Sequence, residues 1–269
     1  MSDRYTNALS EGRHLHFWTE VVMKETTGDR EAFTRIECSD RESWLEARKP
    51  LRQASDAAVI LRCSPWKTPS RLYDEIMGTV KVQDIGDKPY VVYGKNMEPL
   101  IRAQMMLDLP YFSLFYSEFG ILVSKARPWQ GCTLDGELTV VVDDNPWGFR
   151  NGSKGILECK TGSFRRESDL DEWKEGIPQH YYCQVIHQLS VTQYDFVIVA
   201  ARVKRDGYRE EDQGFPEIRT FYRIVDRRNP QVRNDIDELN REEALFNKRL
   251  EEKRRPPVTL SLKERNVTR

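Results

Sequence analysis

The sequence predicts one α/β domain built on a mixed sheet flanked by helices. Two observations carry this. Short apolar runs of strand length alternate with helical runs through the middle of the chain. The 269 residues are 39% hydrophobic, with no internal repeat and no interdomain linker, so they suffice for one sizeable core.

The elements follow in order. Leu15 to Lys24 reads as a helix or strand, and Ala32 to Cys38 as a strand. Ser39 reads as an N-cap, with Glu42 completing a capping box, for a helix from Asp40 to Lys49 that carries Trp44, Leu45 and Arg48. Ser55 reads as the N-cap of a short helix through Ala57 to Leu61. Cys63 to Ser70 is a turn, Ser70 to Met77 a helix, and residues 78–93 a loop. Asn96 is expected to cap a helix running to Leu107, with Glu98 and Pro99 in its first turn, where proline is tolerated. Ile121 to Ser124 is a short strand leading to two others, which together form a three-stranded meander.

The first of those two is the β-branched run Leu138 to Val142, and the second begins at Gly155. Between them, Asp143 to Lys154 is dense in turn formers and reverses the chain. Ile177-Pro178 introduces a helix from Gln179 to Ser190. Tyr181, Gln184 and Gln188 share one of its faces, while Tyr182, Val185, Ile186 and Leu189 form the apolar side. Phe196 to Ala201 reads as a buried strand, Glu217 to Val225 as an edge strand, and Asn229 to Lys253 as a long charged helix. The tail from Arg254 is expected to be mobile.

Composition narrows the class. There are 43 acidic and 42 basic residues, a net charge of −1, which neither requires nor excludes nucleic acid. The five cysteines are scattered with no C-x-x-C pair, which argues against a zinc site, an iron–sulfur cluster or a disulfide framework. No apolar run reaches the length of a membrane span, and Met1 to Tyr5 does not open a signal peptide, so no membrane partner and a cytoplasmic location are expected.

The chemistry-bearing stretch is Gly155-Ile156-Leu157-Glu158-Cys159-Lys160-Thr161. Side chains alternate across a strand, so Glu158 and Lys160 share one face and Cys159 takes the other. A carboxylate beside an ammonium at the end of a buried strand suggests a hard-metal site with a cationic helper. A hairpin folded about residues 143–154 brings Leu134-Asp135-Gly136 near that pair, although Asp135 before a glycine also fits a plain turn residue. His180 and His187 read as structural or solvated rather than as ligands, and His14 and His16 lack partners. The cluster Trp66, Trp129 and Trp147 reads as core or loop anchors, with a wedge at a DNA end as the functional alternative.

Taken together, Glu98, Asp135, Glu158-x-Lys160 and Gln184 resemble the PD-(D/E)XK nuclease superfamily. Within it the chain resembles the YqaJ-like viral recombinase (phage lambda exonuclease) family over about residues 40–225. Trp44 to Arg48 with Ala54-Ser55-Asp56 resembles that family's W-x-x-x-R and small-Ser-Asp opening. Ser64-Pro65-Trp66-Lys67-Thr68-Pro69 resembles its S-P-aromatic turn, Gly94 to Glu98 its G-x-x-x-E, Leu134-Asp135-Gly136 its x-D-G, and Tyr181 to Gln184 its Y-x-x-Q. One departure is Leu61-Arg62-Cys63, where the family usually has glycine.

The resemblance implies a restriction-endonuclease-like fold with a core over residues 40–226, an N-terminal extension over 1–39 and a C-terminal helix and basic tail over 227–269. It implies Mg²⁺, two ions with Mn²⁺ as a substitute, held by Asp135, Glu158, the Cys159 carbonyl and Glu98 directly or through water. Lys160 and Gln184 would act on the phosphate and the water, with Tyr181 in support, and Arg48 and Ser55 would receive a DNA 5′-phosphate. The implied activity is 5′→3′ degradation of one strand of linear double-stranded DNA. That leaves a 3′ tail for a single-strand annealing protein, in a ring-shaped homotrimer within a bacterial or phage-infected cell. The alternatives are a structure-specific or restriction-like endonuclease and a non-catalytic DNA-end scaffold.

Overall fold

The computed structural model describes residues 31–82, 85–207 and 214–258. The Leu15–Lys24 element, His14, His16 and residues 259–269 of the tail lie outside them. Two sheets organise the described chain. A five-stranded sheet has the order β2 (Phe112–Phe115), β5 (Gly136–Val140), β6 (Lys154–Phe164), β7 (Phe196–Arg205) and β8 (Ile218–Asp226). Its β6–β7 pair is parallel and its other pairs antiparallel, so the sheet is mixed as expected. A smaller sheet joins β1 (Phe33–Glu37), β3 (Gly120–Ser124) and β4 (Gly131–Cys132).

Strand β7 is buried along most of its length because helices cover both faces of the sheet. Val197, Val199 and Ala201 pack with Ile156 beneath Val185, Ile186 and Leu189 of α6 (Gln179–Thr192). On the other face, Ile198 and Ala200 join Leu157 and Cys159 under Ile101 and Met105 of α4 (Pro89–Asp108). Gly155 lets β6 lie close to β7: a Cβ there would come within 2.2 Å of the Phe196 ring. The long helix α7 (Pro230–Glu251), capped by the Asn229 side chain, covers α6.

Several local expectations are corrected. The first helix α1 (Arg41–Arg48) is capped by Asp40, whose carboxylate accepts the Ser43 N–H at 2.8 Å, not by Ser39. Asp40 places a carboxylate at the helix start and takes the Ser43 N–H, one residue further along than a Ser39 cap would reach. Ser55 caps nothing. It is exposed within a 3₁₀ turn, Ala54–Asp56, that runs straight into the short α2 (Ala57–Ile60), and Asp56 accepts the Gln53 N–H. Helix α4 starts at Pro89, not at Asn96, because Pro89 itself fits the first helical position. Pro99 therefore sits inside the helix, where its missing N–H leaves the carbonyl of exposed Lys95 without its helical donor. Strand β3 joins the small sheet, so no three-stranded meander forms at the site: the antiparallel run there is β2-β5-β6, with β3 and β4 intervening in the chain between its first two strands. Helix α3 (Pro69–Ile76) forms as expected, behind a Thr68 cap.

Arg62 explains the sequence departure before the Ser-Pro turn. It follows the C-cap of α2 with φ +60°, a left-handed conformation that favours glycine. Cys63 and Ser64 both donate to the Ala58 carbonyl and hold this bend. The Cβ at such a position costs about 1 kcal/mol, so Arg62→Gly is expected to raise the urea midpoint by a corresponding amount. An unchanged or lower midpoint would contradict that account.

Candidate active site

Strand β6 carries the centre of the site, and its alternation does what the sequence predicts. Glu158 and Lys160 face α6, whereas Cys159 packs in the core beneath α4. Glu158 is only 3% exposed, yet both its oxygens are bonded. Oε1 accepts from Lys160 Nζ at 2.5 Å and from Gln184 Nε2 at 2.6 Å. Oε2 accepts from Gln188 Nε2 at 2.6 Å. Gln184 also bridges the pair, its Oε1 accepting from Lys160 Nζ at 2.9 Å. Lys160 Nζ lies 4.7 Å from the centre of the Tyr181 ring, a cation–π contact. Residues 181, 184 and 188 meet β6 because they stand three and four apart on one helical face.

Asp135 sits immediately before β5 rather than within it. The last ladder pair is Gly136 with Leu157, which leaves Asp135 opposite Glu158 one step beyond. Its Oδ2 accepts the Cys159 N–H at 2.7 Å. A residue's N–H and C=O leave an extended strand on the same side, so the Cys159 carbonyl also faces the Asp135 side, past the end of the ladder. Glu98 reaches this region from α4, and Arg102, one turn on, donates to the Asp135 carbonyl at 3.2 Å.

Electrostatics tie the acids together. Burial, then the charges of Glu158 and Glu98, push the Asp135 carboxyl well above the usual carboxylate range. Burial raises Glu98 too, with Arg102 opposing and Glu158 reinforcing. Burial alone would lower Lys160, but Glu158 and Asp135 outweigh it and hold the ammonium protonated. Three carboxyl groups thus crowd a site in which Arg102, Lys160 and, more weakly, Lys95 supply the nearby positive charge. A further cation among the carboxylates would relieve their mutual repulsion, and an all-oxygen donor set suits a hard ion such as Mg²⁺ or Mn²⁺. The donors are drawn from side chains already engaged: among the described residues, no three His, Cys, Asp or Glu side chains form a ready metal cluster.

Arg48 and Ser55 lie apart from these acids in sequence and in element. The Arg48 guanidinium lies 4.0 Å over the Trp44 ring, and its Nε donates to Gln53 Oε1 at 3.1 Å. Burial lowers its pKa from the arginine value, with Asp56 opposing. Arg102 was not singled out by sequence reasoning, although its i+4 spacing from Glu98 was the available signal. Gln188 lies on the face that the helical spacing predicts, and its role, holding Glu158 Oε2, comes from the structure. His187 is structural, as expected, and buried against Glu243. The three tryptophans do not form one cluster: Trp147 packs on Tyr111 and Phe112, whereas Trp66 meets His180. No helix among the described residues is long and apolar enough to cross a membrane.

Comparisons with known proteins agree with the fold. The chain is similar to the uncharacterized protein YqaJ of Bacillus subtilis (strain 168), at 30% identity over 152 residues, which is 56% of this chain and 42% of that protein. It thus spans less than half the length of that relative. Among solved structures it is similar to the alkaline exonuclease LHK-Exo of Laribacter hongkongensis, with a TM-score of 0.51 and 17% identity over 80% of this chain and 97% of that one. The same enzyme in complex with dAMP gives 0.52. These likenesses carry the restriction-endonuclease-like architecture. The YqaJ-like viral recombinase domain model matches residues 43–195, and the chain belongs to that family.

Proposed function

We propose that this protein is a Mg²⁺-dependent 5′→3′ exonuclease that degrades one strand of linear double-stranded DNA. The observation that carries this reading is the hydrogen-bonded set of Glu158, Lys160 and Gln184, with Asp135 across the β5–β6 hairpin. The family, and a neighbour that is an alkaline exonuclease seen with dAMP, support a nuclease.

Asp135, Glu158 and the Cys159 carbonyl would hold the metal, with Glu98 contributing directly or through water. When bound, Mg²⁺ supplies a more acidic water and offsets phosphate charge. Gln184 fixes the ammonium of Lys160 in place, and Tyr181 flanks it. Since Lys160 keeps its proton, it offsets the charge that develops on the phosphoryl oxygens rather than taking a proton. Gln188 and Gln184 hold the Glu158 carboxylate in one rotamer.

Arg48 and Ser55 are the proposed receivers of the 5′-phosphate. The Trp44 ring and Gln53 hold the Arg48 guanidinium in one orientation, which suits bidentate phosphate binding. Gripping the 5′ end while cutting beside it gives the polarity. A homotrimeric ring would keep the enzyme on DNA, and the 3′ tail would pass to a single-strand annealing protein. Arg48→Ala is expected to reduce the preference for 5′-phosphorylated over 5′-hydroxyl ends by about tenfold. An unchanged ratio of kcat/KM for the two ends would remove this account of polarity.

The reading is tested by incubating the protein with linear and closed circular duplex in Mg²⁺ or Mn²⁺. Degradation of the linear form alone is expected. Cutting of the circle would indicate an endonuclease, and binding without cleavage of either form a DNA-end scaffold.

A further inference from the structure

We propose that Trp66 is a platform on which an unpaired nucleobase at a DNA end stacks beside the candidate site. This deepens the nuclease reading and rests on it for the identity of the nucleic acid. Trp66 is 74% exposed, a large apolar ring standing in water. In the turn, Pro65 is exposed beside it, but Ser64 and Lys67 flank the pair with polar side chains, so the exposed apolar run there is two residues long.

The indole is presented on a rigid support. Ser64 Oγ accepts the N–H groups of Trp66 and Lys67, each at 3.3 Å. Upstream, the Cys63 and Ser64 N–H groups are tied to the Ala58 carbonyl. Downstream, Lys67 pairs with Glu75 at 2.7 Å and Thr68 caps α3. A stiff backbone mount suits stacking, because less chain freedom remains to be lost on binding.

Its position links it to the proposed chemistry. The Trp66 ring meets the His180 ring edge-on at 4.8 Å between centroids. His180 meets Tyr181 at 4.0 Å, and Tyr181 lies under the Lys160 ammonium at 4.7 Å. Three successive contacts therefore connect the exposed indole to the lysine proposed to face the phosphate. A nucleotide strand at that lysine has its neighbouring bases within reach of the indole. The π-face of any base stacks on such a ring without sequence preference. Trp66 acts as a positioning residue, since it touches a base and not the reacting atoms.

The experiment places 2-aminopurine at the terminal, second or third position of either strand of a linear duplex. Its fluorescence is followed as wild type, Trp66→Ala and Trp66→Phe bind in EDTA. Wild type is expected to change the signal at one end position, Trp66→Ala to lose that change, and Trp66→Phe to retain most of it. With metal, Trp66→Ala is expected to raise KM about tenfold with a smaller effect on kcat, and Phe to restore it. Because the ring is exposed, both variants should melt with wild type. An unchanged 2-aminopurine signal and KM in Trp66→Ala, in a preparation whose wild type degrades DNA, overturns the platform and leaves the nuclease reading intact. A Trp66-dependent signal in a protein that cuts nothing supports the platform and overturns the nuclease reading.

Discussion

Lys160→Ala is expected to lower the rate of DNA cleavage by about 10²–10³-fold, the cost of removing one preorganised charge donor from a transition state. Duplex binding is expected to persist. The substitution removes the Nζ that bonds both Glu158 Oε1 and Gln184 Oε1. It leaves Glu158 still bonded by Gln184 and Gln188, so the carboxylate keeps its place. The loss therefore falls on the charge facing the phosphate rather than on the fold. Lys160→Arg is not expected to rescue, because a planar guanidinium cannot replace a compact ammonium held between two oxygens. Full activity in Lys160→Ala, measured with saturating metal, would contradict the proposed role.

Glu243→Ala is expected to destabilise the protein by about 3–5 kcal/mol, the usual cost of leaving one half of a buried ion pair alone. His187 and Glu243 are both fully buried, with Nδ1 and Oε1 2.7 Å apart. His187 Nε2 faces the Gly131 carbonyl at 3.0 Å. Both ring nitrogens face oxygens, a geometry that favours the doubly protonated, cationic ring. Burial presses the ring toward neutrality, but Glu243 and the Gly131 carbonyl outweigh it and raise the pKa above the ordinary histidine value. A raised folded-state pKa gives stability that is fully present below the unfolded value near ~6.5 and is lost as pH rises through the folded value. The urea midpoint of wild type is thus expected to fall as pH rises from about 6.5 through the folded value, and that slope to flatten in His187→Gln. Equal midpoints and slopes in wild type and both variants would contradict the ion pair.

The same contact explains a feature of the fold. Helix α7 lies beyond residues 43–195, which the family model matches. It is nonetheless fastened to α6 by Glu243 on His187, by Asn240 accepting from Ser190 at 2.7 Å, and by Asp235 accepting from Tyr182 at 2.6 Å.

What could be read from the sequence was what periodicity controls. The shared face of Glu158 and Lys160 follows from strand alternation, and that of Tyr181, Gln184 and Gln188 from helical spacing. The hairpin followed from turn residues between two strand-forming runs. Long-range pairing was not legible: nothing local in Ile121 to Ser124 says that it joins β1 and β4 rather than the site-bearing sheet. Helix starts were misplaced where two residues competed for one cap, as with Ser39 and Asp40, or where a proline suited either a first turn or an interior, as with Pro99. Arg102 stands one helical turn from Glu98, but the main-chain carbonyl that it bonds carries no sequence signature. The charge of His187 depends on Glu243, and only the packing of α7 on α6 brings the two together.

The most direct test of the central claim is a polarity assay on linear duplex labelled at either end, with and without a 5′-phosphate, in Mg²⁺ and in EDTA. The account predicts that, in Mg²⁺, a 5′ label is released early as a mononucleotide from 5′-phosphorylated ends while a 3′ label stays on a long strand. It predicts no release in EDTA. Early release of the 3′ label, or cleavage that proceeds equally in EDTA, would contradict it.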